Sequence, residues 1–167
     1  MTFNGRMNPA RRDVVAPPHA RQAAIVGAAA IALLLAACNA GGPVQATPAP
    51  RETILDELGR RGGEITQPVS GDTGCNDQSL VANAVHFRLA SREDRTPRDV
   101  YLFEFRNRAA YERAVPALDA CRAVLARAGT GPIQEVAVPP YRALGTGWTD
   151  STGRLLRESM TVAAGGS

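Results

Sequence analysis

Asp99 to Arg106 reads DVYLFEFR, and this octapeptide decides the fold. Successive side chains in a strand point to opposite sides. Val100 and Leu102 therefore share one face, and Tyr101, Phe103 and Phe105 the other. Only Glu104 interrupts the apolar character, which predicts a strand in the middle of a sheet. A carboxylate on a covered face needs a partner such as Arg106 or Arg142, or a place at the sheet rim. Upstream, Val81 to Ala90 alternates, with Val85, Phe87 and Leu89 against His86 and Arg88, as a half-buried strand does. The SREDRTPR between them is a polar hairpin loop.

Downstream, Asn107 is placed to cap a long helix over about Arg108 to Ala128, with Ala114, Leu118, Cys121, Leu125 and Ala128 at helical spacing. Pro116 should kink that helix or split it. Ile133 to Val138 reads as a short strand, Pro139-Pro140 breaks it, and Tyr141 to Trp148 forms another. After Thr149 a helix capped by Asp150 or Ser151, carrying Leu155, Leu156, Ser159 and Met160 on one side, is preferred over a hairpin at Ser151-Thr152-Gly153. Before the sheet, a short helix from Thr47 to Leu58 is expected, with Pro48 and Pro50 in its first turn and Ile54, Leu55 and Leu58 on one side. The expectation is one α+β domain over 51–167. It has an antiparallel sheet of about four strands with helices packed on one face.

The N-terminal segment is built differently. Met1 to Gln22 is polar and bears arginine, and Ala23 to Ala37 is an apolar run too short for a comfortable span. It ends in Leu35-Ala36-Ala37-Cys38, which resembles the lipobox of bacterial prolipoproteins. That resemblance implies cleavage before Cys38, so that 1–37 is a signal peptide and Cys38 receives lipid. It also implies localisation as a lipid-anchored membrane protein on the extracytoplasmic face. The alternatives are an uncleaved anchor or an ordinary cleaved signal, and a start at Met7 changes nothing downstream. The glycine, proline and alanine of 38–50 then form a flexible tether. DVYLFEFRNRAAYERA and VAVPPYRALGTGW make the stretch from Arg51 to Gly165 similar to small uncharacterised extracytoplasmic lipoproteins of high-GC bacteria. This resemblance implies a fold and no activity.

If Cys38 is spent on lipid, Cys75 and Cys121 remain as an even pair in an oxidising compartment, and a disulfide between them is expected. His86 is the one histidine after the cleavage point. It could act as a general base beside Ser79, Ser91 or a free thiol, but no nucleophile-elbow pattern surrounds either serine. No zinc quartet, phosphate loop or complete calcium loop is present, so neither a metal nor a cofactor is expected. Pro139, Pro140, Tyr141, Arg142 and Trp148 gather rigid, aromatic and guanidinium groups near one sheet end. The last four are candidates for a ligand platform. The leading expectation is a non-enzymatic binding or accessory domain of the cell envelope, its partners being the membrane through the N-terminal lipid and an envelope polymer or protein. A small envelope hydrolase or thiol enzyme using His86 is the alternative, and a structural envelope component is a third.

The whole chain carries a net charge of +3, but Arg6, Arg11, Arg12 and Arg21 lie before Cys38 with only Asp13 to offset them. Their removal leaves no net side-chain charge. All the basic residues are arginine, scattered among carboxylates rather than striped. No nucleic acid is expected as a partner, and little affinity for an anionic surface at physiological salt. Titration of the domain from Arg51 with duplex DNA at that salt is expected to give no saturable binding, and tight salt-sensitive binding would contradict it.

Overall fold

The computed structural model describes residues 47–129 and 131–166. Cys38, the expected signal peptide 1–37 and most of the expected tether lie outside them. The elements run α1 (Arg51–Arg60), β1 (Glu64–Ser70), a 3-10 turn (Val81–Asn83), β2 (Ala84–Ala90), β3 (Arg98–Glu104), α2 (Arg108–Ala128), β4 (Ile133–Val138), β5 (Tyr141–Thr146) and α3 (Asp150–Ala163). The class is α+β, as expected. The sheet has five antiparallel strands in the order β1-β2-β3-β5-β4, with DVYLFEFR at its centre.

The added strand is β1, which pairs with β2 alone. Its register shifts between Thr66 and Val69, and Gln67 between them adopts φ 55°. Pro68 follows in this irregular stretch. A bulge and a proline are what blunt an exposed edge against further pairing.

The helices divide between the two faces of the sheet instead of gathering on one. Ile54 and Leu58 of α1 and Leu155, Leu156, Met160 and Ala163 of α3 pack with Val85, Phe87, Leu89, Val100 and Leu102. On the opposite face, Tyr111, Leu118, Cys121 and Leu125 of α2 pack with Ala84, Phe103, Phe105 and Leu144. Because β3 is apolar to both sides, one layer of helices leaves Phe103 and Phe105 in water, and α2 is the cover they require. Every core side chain among the described residues lies within Gln45–Ser167, one compact unit.

Local chemistry sets the element ends. Asn107 accepts the Ala110 amide at 2.8 Å and caps α2. That helix runs unbroken through Pro116, which lies on its exposed side. There water can serve the carbonyl that loses its partner. Helix α1 starts at Arg51, later than expected, with Pro50 as its N-cap. A residue before proline avoids the helical region, which keeps Ala49 extended. The C-terminal helix forms, capped by Thr149 in place of Asp150 or Ser151.

Cys75 and Cys121 form a disulfide with Cα atoms 5.2 Å apart across 46 positions. It pins the loop after β1 onto α2. For a closed loop of that length the chain-entropy model gives about 4 kcal/mol. Replacing both cysteines with alanine is expected to lower the unfolding free energy in urea by up to about that amount. Thiols that react with an alkylating agent without prior reduction would show that the bridge is absent.

Candidate functional site

Pro140, Tyr141, Arg142 and Trp148 are all buried. They do not form one exposed platform, because neighbours in a strand face opposite ways. Tyr141 enters the core beneath α1 and α3, and its hydroxyl donates to the carbonyls of Ala49 and Ala163. Arg142 points to the α2 face, 2.7 Å from Asp119 Oδ1 and 3.0 Å from Glu135, which Arg122 also reaches at 3.2 Å. Burial works against its charge. The hydrogen bonds it donates to Asp119 and Glu135 outweigh burial and hold the guanidinium above its ordinary pKa.

Trp148 lies in the first core, and its indole N–H donates to the Asp99 carbonyl at 2.9 Å. Gly145 lets the indole and the neighbouring strand come this close. A Cβ there would stand 2.5 Å from the indole nitrogen and 2.3 Å from the Asp99 oxygen.

His86 is where polar groups converge. It lies opposite Tyr101 in the β2–β3 ladder, and the two rings stack with centroids 4.5 Å apart. Its Nδ1 is 3.1 Å from Asp72 Oδ2 and its Nε2 is 3.0 Å from Asp99 Oδ1. A neutral imidazole has one N–H to give, so it serves one carboxylate at a time, whereas an imidazolium serves both. Burial, then Asp72 and Asp99, push the Tyr101 phenol upward. Beside the stack is a groove of about 300 Å³ lined by Asp99, Tyr101, Gly74, Gly129 and Thr146 among others. Gly74, at φ +68°, lets its backbone approach the Tyr101 ring closely, since a Cβ there would come within 2.5 Å of it.

General-base catalysis needs a nucleophile within hydrogen-bond reach of the imidazole. Among the described residues, His86 is bonded to the two aspartates and to neither serine. The Ser79 hydroxyl goes to Asp77 at 2.6 Å, and Ser91 lies 3.4 Å from Ser151. Both sulfurs near the site are in the disulfide. Among the described residues no three His, Cys, Asp or Glu side chains are grouped to hold a metal.

The aspartates were the part of this cluster that sequence reasoning missed. Asp99 was within reach of it: two positions before the residue opposite His86, it is a diagonal neighbour on the same face. Asp72 comes from a loop and left no such signal. Glu104 also has an unforeseen partner, Arg51, at 3.1 Å, in place of Arg106 or Arg142. No protein-family model, curated protein or solved structure matches the chain.

Tyr141 supplies a test of the buried junction between tether and domain. Burial, then the Glu104 charge, raise its phenol from 10.0 to about 12. The folded state therefore holds this proton more tightly than the unfolded one. Stability is unaffected below about pH 10 and falls as pH rises towards 12. Tyr141→Phe is expected to weaken that alkaline loss. Near neutral pH it should cost about 1 kcal/mol for the missing hydrogen bonds. Urea denaturation across pH reads both effects, and an unchanged alkaline profile would contradict the assignment.

Proposed function

We propose that this chain is the precursor of a membrane-anchored extracytoplasmic lipoprotein, lipidated at Cys38. In this reading, the domain that follows is a non-enzymatic binding or accessory module of the cell envelope. The observation that carries the reading is the Cys75–Cys121 disulfide, because such bridges persist in oxidising compartments outside the cytoplasm. The sequence before the domain supports the same address, with its arginine-bearing start, short apolar run and Leu35-Ala36-Ala37-Cys38. Two acyl chains on one cysteine suffice for stable anchoring, so the lipid alone can hold the domain at the membrane.

The binding half of the reading draws support from the state of His86. Both its ring nitrogens face carboxylates and its ring is stacked on Tyr101, which suits a fixed surface post better than a mobile proton carrier. An envelope polymer or an envelope protein is the partner class that fits a domain so displayed.

Expression of the full chain with a labelled fatty acid tests the anchor. Label and membrane retention are expected in the native chain, and both should be lost in Cys38→Ala. Equal labelling of the two would overturn the anchor. Retention of the domain on insoluble envelope polymer or by envelope protein is the expected result for the binding half, and retention by neither would overturn that half.

A further inference from the structure

Over the whole domain the charge cancels, but its placement is uneven. Most arginines among the described residues stand within 4 Å of a carboxylate, including Arg51, Arg60, Arg61, Arg88, Arg98, Arg122, Arg142 and Arg154. The end where the tether joins is different. An open groove of about 450 Å³ there is lined by Thr47 and Pro48 of the tether, by Arg106, Asn107 and Arg108, and by Pro139, Pro140 and Ala164. A second groove of about 450 Å³ shares Arg106 and adds Arg113 beside Leu80, Phe105, Ala110, Ala114 and Ala117. Neither groove is lined by an acidic side chain. Arg106, Arg108 and Arg113 are all exposed. Among the described residues Arg106 and Arg113 have no carboxylate partner, and neither do Arg92, Arg95, Arg127 and Arg157 elsewhere; the tether end is set apart by two grooves that share Arg106 and have no acidic lining. Arg108 has only the solvent-facing pair with Glu112 at 2.9 Å.

Chain length says what this surface faces. Nine peptide steps separate Cys38 from Thr47. Fully extended, they span at most about 30 Å. If Cys38 is embedded in a bilayer, the end that carries these two grooves is the end of the domain nearest the headgroups.

We propose that Arg106, Arg108 and Arg113 form a docking surface for the phosphates of anionic phospholipids in the membrane that holds the anchor. The small apolar groove beside them lies against the upper acyl region. This rests on the anchoring reading for its setting. An arginine near an anionic surface contributes about 1 kcal/mol, so the patch alone binds weakly at physiological salt. Tethering raises its effective concentration, and the same contacts then fix the orientation of the domain.

The test uses Gln45–Ser167, the compact unit that holds both core clusters and the disulfide. It lacks Cys38, so its result is independent of whether that residue is lipidated. Vesicles of phosphatidylcholine with phosphatidylglycerol are expected to retain it at low salt, and vesicles of phosphatidylcholine alone are not. Arg106→Ala with Arg113→Ala should lower the partition coefficient roughly tenfold or more. Arg106→Lys with Arg113→Lys should keep most of the binding. Arg92→Ala with Arg157→Ala, away from the grooves, should keep all of it. Equal retention of every variant, or no retention on anionic vesicles, overturns the proposal. Binding to duplex DNA that is at least as strong and is lost in the same alanine variant assigns the patch to another polyanion and also overturns it.

Discussion

Burial of β3 on both sides is the constraint from which the remaining structure follows. Val100 and Leu102 to one side, and Phe103 and Phe105 to the other, are all nearly inaccessible to water. Each such side chain contributes about 1.5–3 kcal/mol by leaving water, so neither face of the sheet centre can stay wet. The short helices α1 and α3, which contact each other, cover one face. The single long helix α2 covers the other over β3, β5 and β4. One helix is narrower than a five-stranded sheet, and the uncovered part of its face carries His86, Arg88 and Asp99. The polar cluster therefore stands where the cover stops. The disulfide belongs to the same solution, since it ties the loop bearing Asp72 to α2 beside that margin.

What the sequence made legible was whatever is half or fully buried with a regular period. The alternation of β2, the two-sided run of β3, the Asn107 cap and the Leu155, Leu156, Ser159, Met160 stripe all leave a pattern, and each element is where its pattern lies. Strand β1 leaves none. Its sequence EITQPVS is exposed nearly throughout, so no face is under pressure to be apolar, and Pro68 argues locally against a strand. It exists because β2 offers an unpaired edge. The expectation of a single helical face fell short because it weighed the apolar side of each helix without asking what would cover Phe103 and Phe105. The same period of two separates Tyr141 from Arg142. A cluster that is compact in sequence is thereby split across a sheet in space.

Polar partnerships were harder to foresee, because they depend on loops and register. Glu104 illustrates the difference. Its partner Arg51 is 53 positions away on α1, and the same guanidinium donates to the Ala84 carbonyl at 3.2 Å. Nothing local encodes that contact. It follows from packing α1 over the sheet end, which brings the start of the domain beside the end of β3. Ala49, held by the Ala163 carbonyl at 3.0 Å and by Tyr141, is fixed at the same place.

The domain consequently has two unlike ends. At one, Thr47 and Pro48, Tyr141, the Arg51–Glu104 pair and Arg106, Arg108 and Arg113 lie together. At the other lie the hairpin between β2 and β3 and a groove of about 300 Å³ in which Arg61, Arg92 and Arg154 are interleaved with Glu93 and Glu158. Strands of seven residues separate the ends by roughly 20 Å at about 3.3 Å per residue. In the far groove Arg61 pairs with Glu158 and Arg154 with Glu93, which leaves Arg92 there without a carboxylate partner among the described residues. The near end, whose two grooves have no acidic lining, is the one within reach of an anchor at Cys38 if the proposal holds. In the anchoring proposed for Cys38, residues 38–46 set only a distance, and the placement of the arginines selects the end that faces the lipid. In the proposed anchoring the far end is turned away from the bilayer, the direction from which an envelope partner would approach.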